Sequence, residues 1–98
     1  MVVNIVVRTK EVDAGTADDF WMELAAGLPA SRGGTLTIDL REVSFMDSTG
    51  LVLLLKAHRH VRDQAGRIEL VNLQPAVARL LEVSGVGEHL EDRPAWAG

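Results

Sequence analysis

Three runs rich in β-branched and aliphatic residues, Val2–Thr9, Thr35–Leu40 and Arg67–Leu73, alternate along the chain with segments of helical period. Strands separated by helices must be joined by crossovers, so they lie side by side in a parallel or mixed sheet. Three or four short strands cannot support helices on both faces. The expected fold is therefore α/β: a small mixed or parallel β-sheet with helices packed mainly on one face. A chain of 98 residues forms a single domain of this kind, spanning residues 1–98.

The segments between the strands specify the helices. Val2–Thr9 has apolar residues at successive positions and predicts a strand buried on both faces. Asp13–Thr16 breaks it, and Thr16 with Asp19 three residues later resembles a capping box. Phe20, Leu24 and Leu28, flanked by Trp21 and Ala25, form one apolar stripe, which predicts Trp21 in the core. Pro29–Gly34 ends this helix. In Thr35–Leu40, Leu36, Ile38 and Leu40 alternate onto one face. Arg41–Asp47 is a short connection anchored by Val43 and Phe45. Ser48 opens a second helix that runs to about Gln64, with Gly66 as its C′ residue. Pro75 suits the first turn of a third helix, with Val77, Leu80 and Leu81 inward and Gly85 after it. From Val86 the pattern predicts a short strand or turn, and then a flexible tail at 92–98 that includes Trp96.

Composition excludes several functions. The chain has no cysteine, which removes disulfides, thiol catalysis and thiolate zinc sites, and it fits a reducing compartment. The longest apolar run is Leu51–Leu55, far short of the roughly 20 residues that span a bilayer. No signal-peptide pattern follows Met1, so the expectation is a cytoplasmic protein with no membrane association. The net charge is −4. Residues 1–50 carry four basic and eight acidic side chains, and residues 51–98 carry six of each. No basic patch stands out, which argues against direct contact with nucleic acid.

The informative segment is the strand-to-helix corner around Asp47-Ser48-Thr49-Gly50. In open α/β sheets, ligands and partners gather beyond the carboxyl ends of the strands. Ser48 stands at the N-cap or beside it, where backbone N–H groups lack partners and the helix dipole is positive. A phosphate there would meet those donors, and Gly50 would leave the approach open. The same residues also suit a plain helix cap, and local chemistry by itself favours that reading. Serine catalysis lacks a base. His58 and His60 lie at least about 15 Å along the same helix, and no Gly-x-Ser-x-Gly elbow is present. His58 and His60 do not share metal-ligand spacing on a helix. Five consecutive apolar residues, Leu51–Leu55, exceed what a helix covered on one side can bury. That leaves Val52 or Leu53 near the surface or under a partner.

The stretch Asp39-Leu40-Arg41-Glu42-Val43-Ser44-Phe45-Met46-Asp47-Ser48-Thr49-Gly50-Leu51 resembles the STAS family, named for sulfate transporters and anti-sigma factor antagonists. Gly66–Asn72, Pro75–Leu81 and Ser84-Gly85-Val86 continue the likeness in order and spacing, so it covers about residues 4–91. Met46–Gly50 is similar in particular to the stand-alone anti-sigma factor antagonists. The resemblance implies that Ser48 is the phosphorylated residue. The unphosphorylated form would bind an anti-sigma factor that is itself a serine kinase of the histidine-kinase-like ATPase type. Phosphorylation would end binding, and a serine phosphatase would restore it. Any ATP and Mg²⁺ belong to the kinase; no enzyme activity, cofactor or metal is expected of this chain. Asp47 would orient the loop and present an acidic surface, and Thr49 would hydrogen-bond at the first turn. Glu11 and Asp13 would face a basic kinase surface, with Gly50, Val52 and Leu53 completing the partner face. Two features depart from the family pattern: an extra edge strand usually precedes the one at Val2–Val7, and glycine usually stands where Lys10 does. A homodimer through the N-terminal sheet edge is a further expectation. The alternative function is that of a STAS accessory subunit of a transporter or lipid-trafficking complex, which needs no phosphorylation. Direct nucleotide binding has no Gly-rich loop to support it.

Overall fold

The computed structural model describes residues 1–90. The elements run β1 (Val2–Val6), β2 (Glu11–Val12), α1 (Ala17–Ala25), β3 (Thr35–Asp39), β4 (Phe45–Met46), α2 (Ser48–Asp63), β5 (Arg67–Val71), α3 (Pro75–Ser84) and α4 (Val86–Leu90). Strands β1, β3 and β5 form a parallel sheet in the order β1-β3-β5, with Ile5 opposite Ile38 and Ile38 opposite Leu70. A second, two-stranded ribbon pairs β2 with β4, Glu11 opposite Phe45 and Val12 opposite Met46.

Two right-handed crossovers that step in the same direction deliver α1 and α2 to the same side of the sheet. That side is the core. Leu36 and Ile38 of β3 and Ile68 and Leu70 of β5 meet Phe20 and Leu24 of α1 and Leu54, Ala57 and Val61 of α2. Val77 and Leu81 of α3 complete the cluster. The opposite face carries Asn4, Thr37 and Glu69 in one register row, exposed or half-buried.

Several expectations change on contact with the packing. β1 is not buried on both faces: it is an outer strand, it stops at Val6, and Val2 and Asn4 are exposed. The Thr16 capping box does not form. Instead the Thr16 hydroxyl donates to the Glu11 carbonyl (2.6 Å) and accepts from the Asp13 N–H (3.1 Å), which ties the end of β2 to the start of α1. α1 ends at Ala25, so Leu28 packs on the core from the following turns rather than from the helix. Trp21 is half-buried at the α1–α2 surface, with the Lys56 ammonium 4.3 Å from its ring centre.

The left-handed residue after α2 is Ala65 (φ 59°), not Gly66. Gly66 is required for another reason: a Cβ there would lie 2.6 Å from the Gly34 carbonyl oxygen, where the β3 and β5 entries cross. Gly85 takes its expected left-handed turn (φ 78°), but helix α4 follows, not a strand or turn. Gly87 and Leu90 bury its inner side. The expected tail at 92–98, Trp96 included, lies outside the described residues.

The corner at the start of helix α2

The ribbon β2–β4 is the seat of the corner. Met46 and Val12 point inward and Phe45 points out, about half exposed, so Phe45 is not the anchor its sequence suggests. Val43 is fully buried and does anchor the loop. The first turn of α2 rests directly on the ribbon. A Cβ on Gly50 would come within 2.4 Å of Met46 Cγ and 3.0 Å of Val12 Cγ1. Gly50 is buried and clears the inner contact, not an approach from solvent.

Asp47, not Ser48, is the N-cap. Its backbone is extended (φ −110°, ψ −168°), its carboxylate accepts from the Thr49 N–H at 2.8 Å, and its carbonyl accepts from the Gly50 N–H at 3.1 Å. Its own N–H donates to the Val12 carbonyl at 3.1 Å, which continues the ribbon into the helix. Ser48 is the first residue of the helix and is exposed. A phosphate on Ser48 would thus sit at the positive end of the helix dipole, but beside a carboxylate that already holds a first-turn donor. Modification there changes the charge of the surface more than its hydrogen bonding.

The loop before the ribbon hangs on Asp39, to which the sequence reading assigned no role. This carboxylate is buried at the end of β3. It accepts from the Arg41 N–H (2.9 Å), the Arg41 guanidinium (Nε at 2.8 Å, and Nη2) and the Asn72 amide (3.1 Å). The guanidinium hydrogen bond is the main cause that holds the carboxyl at about 2, against an ordinary 3.8, while burial works the other way. Gln74 donates to the Arg41 carbonyl (2.8 Å), and Ser44 N–H to the Lys10 carbonyl (2.8 Å). The loop that delivers Ser48 is pinned to β3, to the β5–α3 turn and to the segment before β2. An acid two residues before an arginine at a strand end was the available signal.

The expected partner residues divide. Ser48 and Val52 are both exposed and, four residues apart, share the outer face of α2; Val52 is 61% exposed. Thr49 and Leu53 are half-buried on the flank of this face. Glu11 is exposed on the ribbon beside Phe45. The Asp13 carboxylate is half-buried and accepts from the Gly15 and Thr16 N–H groups (2.9 and 3.2 Å), so it shapes its own turn.

The histidines are occupied elsewhere. His58 is buried with its ring 5.4 Å from that of His89 on α4, and the His60 ring lies tilted beside Trp21 with centres 5.9 Å apart. Among the described residues His58 Nδ1 has no hydrogen-bond partner. Burial, reinforced by the charges of His89 and Arg62, pushes its pKa below the usual 6.5. Among the described residues no group of three or more His, Cys, Asp or Glu side chains could hold a metal ion, and no helix is long and apolar enough to cross a membrane.

A three-stranded parallel sheet with an exposed serine at the first position of the capped helix α2 defines a small α/β domain of one recognisable kind. The chain belongs to the STAS family: residues 5–92 match the family described as "Mlab, STAS domain". It is 36% identical over 81 residues to the anti-sigma-B factor antagonist of Listeria monocytogenes, a match that covers 83% of this chain and 70% of that protein. Among solved structures it resembles the anti-sigma factor antagonist SpoIIAA in its unphosphorylated form (TM-score 0.68, 27% identity), over 88% of this chain and 74% of the other. It also resembles the Bacillus cell fate determinant SpoIIAA in the phosphorylated form (TM-score 0.62, 27% identity), over 88% and 77% of the two chains.

Proposed function

We propose that this protein is an anti-sigma factor antagonist whose binding is switched by phosphorylation of Ser48. The observation that carries the reading is the exposed Ser48 hydroxyl at the first position of α2, beside the Asp47 cap, in a chain whose relatives bear that name. The unphosphorylated protein binds an anti-sigma factor that is also a serine kinase, through the α2 face of Ser48, Thr49, Val52 and Leu53 and the neighbouring Glu11 and Asp47. The sigma factor is thereby released. Transfer of phosphate to Ser48 adds about −1.5 to −2 charge at pH 7 to a corner that already holds Asp47. Burying that group without a partner costs the complex affinity; a loss of about 3–4 kcal/mol is several hundredfold. A serine phosphatase resets the cycle. The chain is the substrate of its partner, not a catalyst, and it acts in the cytoplasm. The names of the relatives favour this reading over the accessory-subunit alternative. Among the described residues no strand pairs with the outer edge of β1, which leaves it open to a second copy of the chain besides.

The test pairs the protein with each anti-sigma factor kinase of its source genome and ATP, followed by phosphate mapping by mass spectrometry. Phosphate is expected on Ser48, with Ser48→Ala bound constitutively and Ser48→Asp bound weakly. Phosphate on Thr49 alone, or equal affinity of the two variants, overturns the proposal.

A further inference from the structure

The two outer strands of the sheet are built differently. β5 carries Arg67 and Glu69, charges of the kind that discourage strand-to-strand association. β1, Val2-Val3-Asn4-Ile5-Val6, carries no charge, no proline and no positive-φ residue. Val2 is 62% exposed and Asn4 is exposed.

The ladder shows which backbone groups face outward. Thr35 N–H donates to the Met1 carbonyl (2.9 Å), and Val7 N–H donates to the Asp39 carbonyl (3.0 Å). The odd-numbered residues of β1 therefore face β3. Val2, Asn4 and Val6 turn their N–H and C=O groups away from the sheet, where no strand pairs with them among the described residues.

These outward groups are self-complementary. If a second copy is placed antiparallel about a two-fold axis at Asn4, Asn4 lies opposite Asn4 and Val2 opposite Val6. All three positions are then hydrogen-bonded pairs, about six backbone hydrogen bonds in total. The side chains agree with the backbone: Val3 meets Ile5 on the helix side, and Val2 meets Val6 on the open side, with the two Asn4 amides facing one another.

We infer that the β1 edge is a homodimer interface in which β1 pairs antiparallel with β1 of a second copy about Asn4, joining the two three-stranded sheets into one. A two-fold axis closes this contact, so it ends at the dimer and does not propagate. Antiparallel pairing sends the carboxyl ends of the two sheets in opposite directions. The two Ser48 corners then lie at opposite ends of the dimer, and each is free for its own partner. An edge of five residues is small beside the roughly 800 Å² per partner of a standard interface, so the dimer dissociates on dilution.

Sedimentation velocity of the full chain over about a hundredfold concentration range tests this. The wild type shifts from monomer to dimer. Asn4→Lys, which sets like charges opposite each other at about 5.5 Å, and Asn4→Pro, which removes an outward N–H, stay monomeric with unchanged circular dichroism. The chain has no cysteine, so Asn4→Cys offers a single thiol. A short bismaleimide should cross-link it to a covalent dimer, whereas Ser84→Cys on exposed α3 should remain monomeric. If either Asn4 variant unfolds, the cross-linking pair decides. A wild type that is monomeric at every concentration, a dimer that survives in folded Asn4→Lys and Asn4→Pro, or equal cross-linking of the two thiols overturns the inference. Ser48→Asp should dimerise like the wild type.

Discussion

Replacing Asp39 with asparagine should destabilise the protein at neutral pH and do so less and less as the pH falls below 4. The buried carboxylate accepts four hydrogen bonds from Arg41 and Asn72, and its pKa is held at about 2 instead of 3.8. A fall of roughly 1.8 in pKa, at 1.36 kcal/mol per unit, amounts to about 2 kcal/mol in favour of the folded state. Solvent reaches the Arg41 side chain, which is 61% exposed, so part of this is screened and about 1–2 kcal/mol is the fairer expectation. Because the folded pKa lies below the unfolded one, the contribution is complete above about pH 4 and is lost as the carboxyl protonates between about 4 and 2. Asparagine keeps the shape but offers an NH₂ group toward the Arg41 guanidinium or the Asn72 amide, and donor faces donor. Urea denaturation followed by circular dichroism, at pH 7, 5, 4 and 3, measures the gap between the two proteins. The reasoning fails if Asp39→Asn matches the wild type at pH 7, or if a gap seen at pH 7 stays undiminished at pH 3. The functional counterpart is a slower phosphorylation of Ser48 in the variant, since the tethered loop delivers α2.

Other expectations follow from single contacts. Gly50→Ala forces a methyl to 2.4 Å from Met46 Cγ; thermal denaturation should show a loss of about 1–3 kcal/mol, partly recovered by adding Met46→Ala. Ala65→Gly relieves a left-handed residue at φ 59° and should raise stability by about 0.5–1 kcal/mol in urea. His58 is buried and neutral with its pKa lowered. Its contribution is therefore intact above the unfolded pKa of 6.5 and falls below it, by at most about 1.4 kcal/mol per pH unit. Denaturation at pH 7.5 and 5.5 should show this loss in the wild type and a smaller one in His58→Leu.

The elements legible in the sequence are those with a period long enough to read. The alternating Leu36, Ile38 and Leu40, the stripe of Phe20 and Leu24 and the Pro75-to-Gly85 frame each repeat a spacing that only one backbone geometry satisfies. The β2–β4 ribbon was not legible, because two residues per strand carry no period. Without it, Phe45 reads as an anchor and Gly50 as an opening, and the sequence leaves Ser48 at the cap or beside it, where the structure puts it beside the Asp47 cap. The helix α4 was hidden for a similar reason: five residues make barely more than one turn, and burial of Leu90 against the core stabilises it.

By itself, then, the sequence determined the order of the three main strands and of helices α1 to α3, a parallel or mixed sheet covered mainly on one side, and the family that the Ser48 corner resembles. The order and the sheet follow from local period and local chemistry, which a chain carries wherever it folds, and the family from the resemblance carried by Asp39–Leu51. Tertiary structure decided which strand became an unguarded edge, which carboxylate caps α2, and that Asp39 holds the loop. Each of those depends on a group distant in sequence: Val12 for Asp47, Asn72 for Asp39, and β3 for β1, whose other side no strand pairs with among the described residues. No local pattern encodes the approach of such partners; only the packed sheet brings them within hydrogen-bond reach.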